Sequence, residues 1–195
     1  MSRVSTAYLL TCAAIGVATG LLTIPATAAA SALSPSAPPL AALTYGAWVV
    51  GFVVALRLIE RPGAGVLTGL ISGLVAAPFS TTGAAIVITN VLFAFLVELP
   101  FLVTRYRRWP TWLYFAGAGA TVLLYTVWRS LGQNLAALAP WAIAAFYAAA
   151  VVSVLASVWL GIVIADRLRA AGVARLARRR PDATSSVPDG TETAQ

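Results

Sequence analysis

An all-α, polytopic membrane protein is the fold class that the sequence predicts, and three observations lead to it. Hydrophobic residues make up 60% of the 195-residue chain, and charged residues make up only 10%. A soluble domain carries roughly a quarter charged residues, so most of this apolar surface has to be covered by lipid. The apolar residues also fall into runs of about 17–25 residues, which is the length that spans a ~30 Å hydrocarbon core.

Turn-forming and charged residues divide the apolar sequence into six predicted transmembrane helices. Residues 31–39 read SALSPSAPP and predict an external loop, whereas Pro62 and Gly63 predict a tight turn before the third helix. Residues 1–166 form the predicted transmembrane domain, and residues 167–195 form a basic and then disordered cytoplasmic tail. The six predicted helices cover about 7–30, 40–59, 62–79, 83–104, 109–128 and 140–165.

The positions of the arginines predict the orientation. The chain has 13 basic residues, all of them arginine, and all but Arg129 fall at the ends of helices that meet on one predicted face. Basic loops stay on the cytoplasmic side, so both termini are predicted to be cytoplasmic in a bacterial inner (plasma) membrane. The net charge of +7 therefore reflects topology, and a nucleic-acid partner is not expected.

The first apolar run has an alternative interpretation as a cleavable signal peptide. The sequence Ala26-Thr27-Ala28 resembles a cleavage site. The apolar run is longer than the usual 7–15 residues of a signal peptide, which favours a transmembrane helix. The charge pattern does not separate the two interpretations, because the later helices keep the same orientation in both.

Small residues recur at every fourth position in two of the predicted helices. Such spacing allows a neighbouring helix to approach closely, so we expect these faces to pack against other helices. The general abundance of alanine and glycine is an alternative explanation for the first helix. The residues are Ala14 with Ala18 and Gly16 with Gly20 in the first helix, and Gly65, Gly69 and Gly73 in the third.

Several chemistries are excluded by residue type. The chain has no histidine and a single cysteine, Cys12, so neither a metal site nor a disulfide is expected. No nucleophile–base pair and no G-x-x-x-x-G-K-[ST] loop occur. We therefore expect no catalytic residues, no cofactor and no enzymatic activity, and any ATP that drives transport has to be hydrolysed by another chain.

Glu98 is the one acid well inside a predicted helix, about 10 Å from the arginines that follow it. An intramembrane acid costs roughly 2.5–3.5 kcal/mol at the centre of the bilayer, so it is a functional candidate by default. Pro100 leaves the carbonyl of Leu96 without its helical donor, which predicts a kink beside Glu98. The alternative is that Glu98 is a structural anchor bonded to a neighbouring helix or to an arginine.

The outer halves of the last three predicted helices carry aromatic, amide and hydroxyl groups at similar depth. Such groups suit a flat, uncharged or weakly charged ring. The alternative roles are interhelical hydrogen bonding for the amides and anchoring at the lipid interface for the tryptophans. Together with Glu98, the candidate substrate-binding residues are Asn90, Tyr125, Trp128, Gln133, Asn134, Trp141 and Tyr147.

Three short motifs carry a resemblance to a known family over roughly residues 40–110. They are YGAW at Tyr45–Trp48, RPGAG at Arg61–Gly65, and ELPF at Glu98–Phe101 followed by YRRW. With these motifs the chain resembles the substrate-binding S components of energy-coupling factor (ECF) vitamin transporters. The similar type is the one associated with thiamine and its hydroxymethylpyrimidine precursor.

The resemblance implies a division of labour between several chains. An S component binds a small vitamin-like ligand from outside, and a separate transmembrane coupling protein and two ATPase subunits drive its import. Small residues on the first helix face the coupling protein in this family, which here implies Ala14 and Ala18. Members associated with the pyrimidine tend to carry acids on the third helix, where this chain has Gly69 and Ala76.

Two other functions stay open on the sequence alone. A membrane scaffold or regulatory subunit would bind no solute. An ion-coupled transporter would use Glu98 as its proton or ion site.

Overall fold

The computed structural model of the chain describes residues 6–80, 82–132 and 139–172. Every regular element in this described part is a helix. The helices are α1 (Thr6–Leu33), α2 (Pro38–Ala42), α3 (Gly46–Ile59), α4 (Ala64–Ala76, continued by a 3₁₀ turn at Ala77–Phe79), α5 (Ala85–Val103), α6 (Thr111–Gly132) and α7 (Pro140–Ala170).

The predicted all-α, polytopic membrane class is confirmed. In the described part of the chain, four helical segments are long and apolar enough to cross a membrane: Thr6–Leu33, Pro38–Ile59, Ala85–Val103 and Pro140–Ala170. The apolar helix Ala64–Phe79 is shorter, and α6 has 22 residues. Many large apolar side chains face outward, among them Leu10, Ile88, Val103 and Leu131, as expected of a surface that contacts lipid.

The second predicted transmembrane helix is divided in two by a tight turn. The backbone N–H groups of Leu43, Thr44 and Tyr45 each donate to the carbonyl three residues earlier, so the chain tightens between α2 and α3. The hydroxyl of Ser153 on α7 donates to the Leu43 carbonyl at 2.5 Å and accepts from the Gly46 N–H at 3.0 Å. A side chain thereby satisfies the backbone groups that the interruption frees, as a membrane interior requires.

The glycine face of α4 packs against α5, as the spacing predicts. A Cβ atom on Gly69 would lie 2.6 Å from the Ala94 Cβ, and one on Gly73 would lie 2.7 Å from the Val87 Cα. The opposite side of α4 contacts α1, where a Cβ on Gly16 would lie 2.8 Å from the Ile71 Cβ. Small residues therefore let α4 pack closely between two longer helices.

Ion pairs join helix ends at one end of the bundle, which we call the arginine-rich end: the last turns of α3, α5 and α7 and the start of α4. Arg57 pairs with Asp166 at 3.2 Å, and Arg169 pairs with Glu60 at 2.6 Å. Arg169 also donates to the Arg57 carbonyl. Both Asp166 and Arg169 belong to α7, which continues to Ala170. Residues 173–195, most of the predicted tail, lie outside the described part.

Candidate functional site

Four aromatic rings meet at the end of the bundle opposite the arginine-rich end. They belong to Tyr45 in the turn before α3, Trp48 on α3, Phe93 on α5 and Tyr125 on α6, and we call them the aromatic cage. Tyr125 lies at the centre, with ring centroids 5.1 Å from Tyr45, 5.8 Å from Trp48 and 5.0 Å from Phe93. All three contacts are edge-to-face, the arrangement that the ring quadrupoles favour.

The rings of the aromatic cage leave almost no free space between them. The cavity between the four rings has a volume of about 10 Å³, which is room for about one water molecule. Val49, Thr121, Val122 and Val154 complete its lining. A planar solute therefore has to separate the rings and replace their mutual contacts with contacts to its own faces.

Two buried N–H groups beside the aromatic cage have no hydrogen-bond acceptor among the described residues. They are the indole Nε1 of Trp48 and the guanidinium Nε of Arg129. The Arg129 side chain approaches the Tyr45 hydroxyl and lies near Tyr125. An unmet buried donor costs about 1–3 kcal/mol, so an acceptor atom of a bound solute would stabilise both groups.

The predicted outer residues divide into those that join the aromatic cage and those that do not. Tyr125 is its central ring, and Trp128 lies 6.1 Å from Tyr125 but is 67% exposed. Tyr147 donates its hydroxyl to Ser130 at 3.1 Å and packs on Phe146 rather than on the aromatic cage. Trp141 is 73% exposed, which suits an interfacial anchor. Gln133 and Asn134 lie outside the described residues.

Asn90 faces α4 rather than the aromatic cage. Its side-chain Nδ2 donates to the Ile86 carbonyl of its own helix at 2.9 Å. A Cβ on Gly73 would lie 3.4 Å from the Asn90 Cβ, and one on Gly69 would lie 2.8 Å from the Asn90 carbonyl oxygen. Asn90 therefore belongs to the α4–α5 interface, and its contact with a solute stays a prediction.

Glu98 lies at the arginine-rich end, where its carboxylate caps the start of α4. Oε1 accepts hydrogen bonds from the Gly63 N–H at 2.5 Å and from the Tyr106 hydroxyl at 2.8 Å, and Oε2 accepts from the Val66 N–H at 3.1 Å. A carboxylate in this position satisfies backbone donors that a helix start leaves free and complements the helix dipole. The structure does not bring Glu98 to the aromatic cage, and its role in binding substrate stays a prediction.

The three motifs of the family resemblance have different roles in the structure. RPGAG supplies one backbone donor to Glu98, the Gly63 N–H, and Val66 directly after the motif supplies the other. The loop after ELPF supplies the Tyr106 hydroxyl. Burial, together with the hydrogen bond to Glu98, raises the pKa of Tyr106 well above its usual value, so the phenol is a neutral donor at physiological pH. YGAW instead provides Tyr45 and Trp48 to the aromatic cage.

Sequence reasoning missed three of the four rings of the aromatic cage: Tyr45, Trp48 and Phe93. Tyr45 and Trp48 stand three residues apart, a spacing that places side chains on one face of a helix. They also lie at the outer end of their predicted helix, at the same depth as Tyr125. Their depth in the membrane, equal to that of Tyr125 on another predicted helix, could therefore have identified Tyr45 and Trp48 as candidates.

A second surface lies on the outside of α1. Ala14 and Ala18 are exposed and line an open apolar groove of about 520 Å³ between α1, α3 and α7. Gly16 and Gly20 face the other way and pack on α4. The glycine pair of α1 therefore packs inside the bundle, whereas the alanine pair stays exposed in the groove. The groove is also lined by Leu10, Thr11, Ile15, Thr19, Leu22, Val50, Gly51, Val54, Leu58, Ile164 and Leu168.

The described helices form a membrane bundle with the aromatic cage at one end and an open apolar groove on its side. The family model described as "ABC-type cobalt transport system, permease component" matches residues 8–124. The chain belongs to this family. Its members are transport components, which agrees with the expectation that the protein is not an enzyme. No curated protein matches the chain.

A solved structure shares the fold. It is described as the crystal structure of an S-component of an ECF transporter, and it superposes with a TM-score of 0.76 at 18% sequence identity. The match covers 88% of this chain and 88% of that one.

Proposed function

We propose that this protein is the substrate-binding S component of an ECF-type importer in a bacterial plasma membrane. It binds a small aromatic, vitamin-like solute in the aromatic cage and works with a transmembrane coupling protein and two ATPase subunits. The observation that carries this proposal is the aromatic cage itself, with unmet donors from Trp48 and Arg129, in a chain that has the S-component fold.

The residue types favour an organic ring over a bare metal ion as the cargo. The chain has no histidine, and its one cysteine is buried on α1. Among the described residues, no group of three or more His, Cys, Asp or Glu could hold a metal ion. Aromatic faces and N–H donors suit a planar heterocycle, and the family resemblance points to thiamine or its pyrimidine precursor.

Removal of a ring from the aromatic cage is expected to weaken solute binding. Trp48→Ala and Tyr125→Ala each remove stacking area, and we expect the solute affinity to fall at least about tenfold, because one aromatic–base stack contributes about 1–3 kcal/mol. The measurement is the amount of small aromatic solute that each purified variant retains. Trp159→Ala is the matched control, because Trp159 is an exposed tryptophan on α7. Retention equal to wild type in both cage variants would remove the cage as the binding site.

The groove beside Ala14 and Ala18 is the proposed contact for the coupling protein. Small side chains let a partner helix approach closely, so Ala14→Trp with Ala18→Trp is expected to prevent co-purification of the coupling protein. The same double variant is expected to retain solute, because the groove and the aromatic cage share no lining residue. Ala120→Trp, at an exposed position on α6, is the control for added bulk. An intact complex in the double variant would place the partner elsewhere.

A further inference from the structure

We infer that the solute carries a negatively charged group, and that Arg129 binds this group while the ring occupies the aromatic cage. The inference rests on the proposed function and adds the charge class of the solute. It also departs from the thiamine-type expectation, because the thiazolium ring of thiamine is a cation.

The distribution of acids is the first argument. The chain has six acidic residues. Glu60, Glu98 and Asp166 all bond at the arginine-rich end, and the other three lie in the C-terminal tail at positions 182, 189 and 192. The outer segments 31–45, 79–95 and 125–147 contain no acid at all. A cationic solute would therefore find no counter-ion near the aromatic cage.

The placement of Arg129 is the second argument. It is the one basic residue in those outer segments. An arginine that serves only as an interfacial anchor extends its guanidinium into water or lipid headgroups. The Nε of Arg129 is instead buried, without an acceptor among the described residues, and the side chain approaches Tyr45 of the aromatic cage. The side chain as a whole is partly exposed, and its charge therefore lies beside the aromatic cage.

The geometry of the donors is the third argument. Arginine offers a planar array of N–H groups that suits the two oxygens of a carboxylate or the oxygens of a phosphate. The indole N–H of Trp48, whose ring stacks on Tyr45 at a centroid distance of 6.1 Å, is a second donor without an acceptor among the described residues. Aromatic faces alone would also attract a cation, but a neighbouring guanidinium opposes that attraction. The set of groups therefore favours an aromatic anion.

Protein purified in mild detergent from its own membranes tests this inference. The solute released on denaturation is separated by anion exchange at pH 7 and identified by mass spectrometry, for wild type, Arg129→Gln and Arg129→Lys. We expect an aromatic compound that is anionic at pH 7. Loss of a charge-assisted hydrogen bond is expected to lower its retention about tenfold or more in Arg129→Gln, and Arg129→Lys, which keeps the charge, is expected to retain an intermediate amount.

The outcomes separate this inference from the proposed function. A neutral or cationic aromatic compound in wild type would overturn the charge assignment and leave the S-component function standing. An anionic compound that Arg129→Gln retains as well as wild type would overturn the role of Arg129. Wild-type protein that releases no aromatic compound would contradict the proposed function itself. The charge of the compound that the wild-type protein releases tests the charge assignment even if the Arg129→Gln protein does not fold.

Discussion

Glu98→Ala is expected to destabilise the protein by about 3 kcal/mol, because it removes a buried acceptor and leaves its partners unpaired. Glu98 is 2% exposed, and its carboxylate accepts hydrogen bonds from the N–H groups of Gly63 and Val66 and from the Tyr106 hydroxyl. Without it, the first turn of α4 has no cap at the arginine-rich end. The measurement is the midpoint of thermal or denaturant unfolding in detergent.

Two further variants test whether the loss of stability comes from the hydrogen bonds of Glu98. Glu98→Gln keeps one carbonyl oxygen and the side-chain length, so we expect it to lose less stability than Glu98→Ala. Leu99→Ala is the control, since the neighbouring Leu99 side chain is exposed on the outer face of α5 and is expected to have little effect. An ion-coupled transporter would give a different pattern, with an unchanged unfolding midpoint and lost uptake in Glu98→Gln. That pattern would contradict the structural role of Glu98.

Gly69→Leu is expected to prevent α4 and α5 from packing, and with it the formation of the folded bundle. Even a single added Cβ would lie 2.6 Å from the Ala94 Cβ and 2.8 Å from the Asn90 carbonyl oxygen. The second of these is a backbone atom, which cannot move aside as the end of a side chain can. Overpacking of a tight contact costs about 1–3 kcal/mol even for a few atoms, and leucine adds four carbon atoms. The measurement is the yield of monodisperse protein and its unfolding midpoint.

Gly119→Ala provides the matched glycine control. A Cβ atom on Gly119 meets nothing within 4 Å, so this change in the middle of α6 is expected to be tolerated and to favour the helix slightly. Gly69→Ala should fall between the control and Gly69→Leu. If Gly69→Leu yields protein as stable as the control, the close contact between α4 and α5 is not required for the fold.

The sequence was sufficient for those parts of the fold that depend on periodicity and charge. Hydropathy predicts the helical segments, and the four-residue spacing at Gly65, Gly69 and Gly73 predicts the face of α4 that packs on α5. The arginine pattern predicts that the same helix ends meet, and ion pairs such as Arg57–Asp166 join them. Hydropathy, glycine spacing and arginine positions can each be read from the sequence of a single helix and its ends. They therefore do not require knowledge of which helices are neighbours.

The aromatic cage could not be predicted in the same way, because it depends on which helices face one another. Tyr45 contacts Tyr125 from the Leu43–Tyr45 turn, which hydrogen bonds to Ser153 of α7. Asn90 has the depth of a site residue but packs against the glycine face of α4. From the sequence, Glu98 fits both an anchor and a binding residue, since an acid within a helix does not reveal its partner.

The proposed role of this chain is to hold an aromatic solute for an ATP-driven importer. Its most direct test is the composition of the wild-type protein isolated in mild detergent from its own membranes. We predict close to one aromatic small molecule per chain, together with a transmembrane coupling protein and a pair of ATPase subunits. A solute-free chain that isolates without any ATPase would contradict the claim and favour a membrane scaffold.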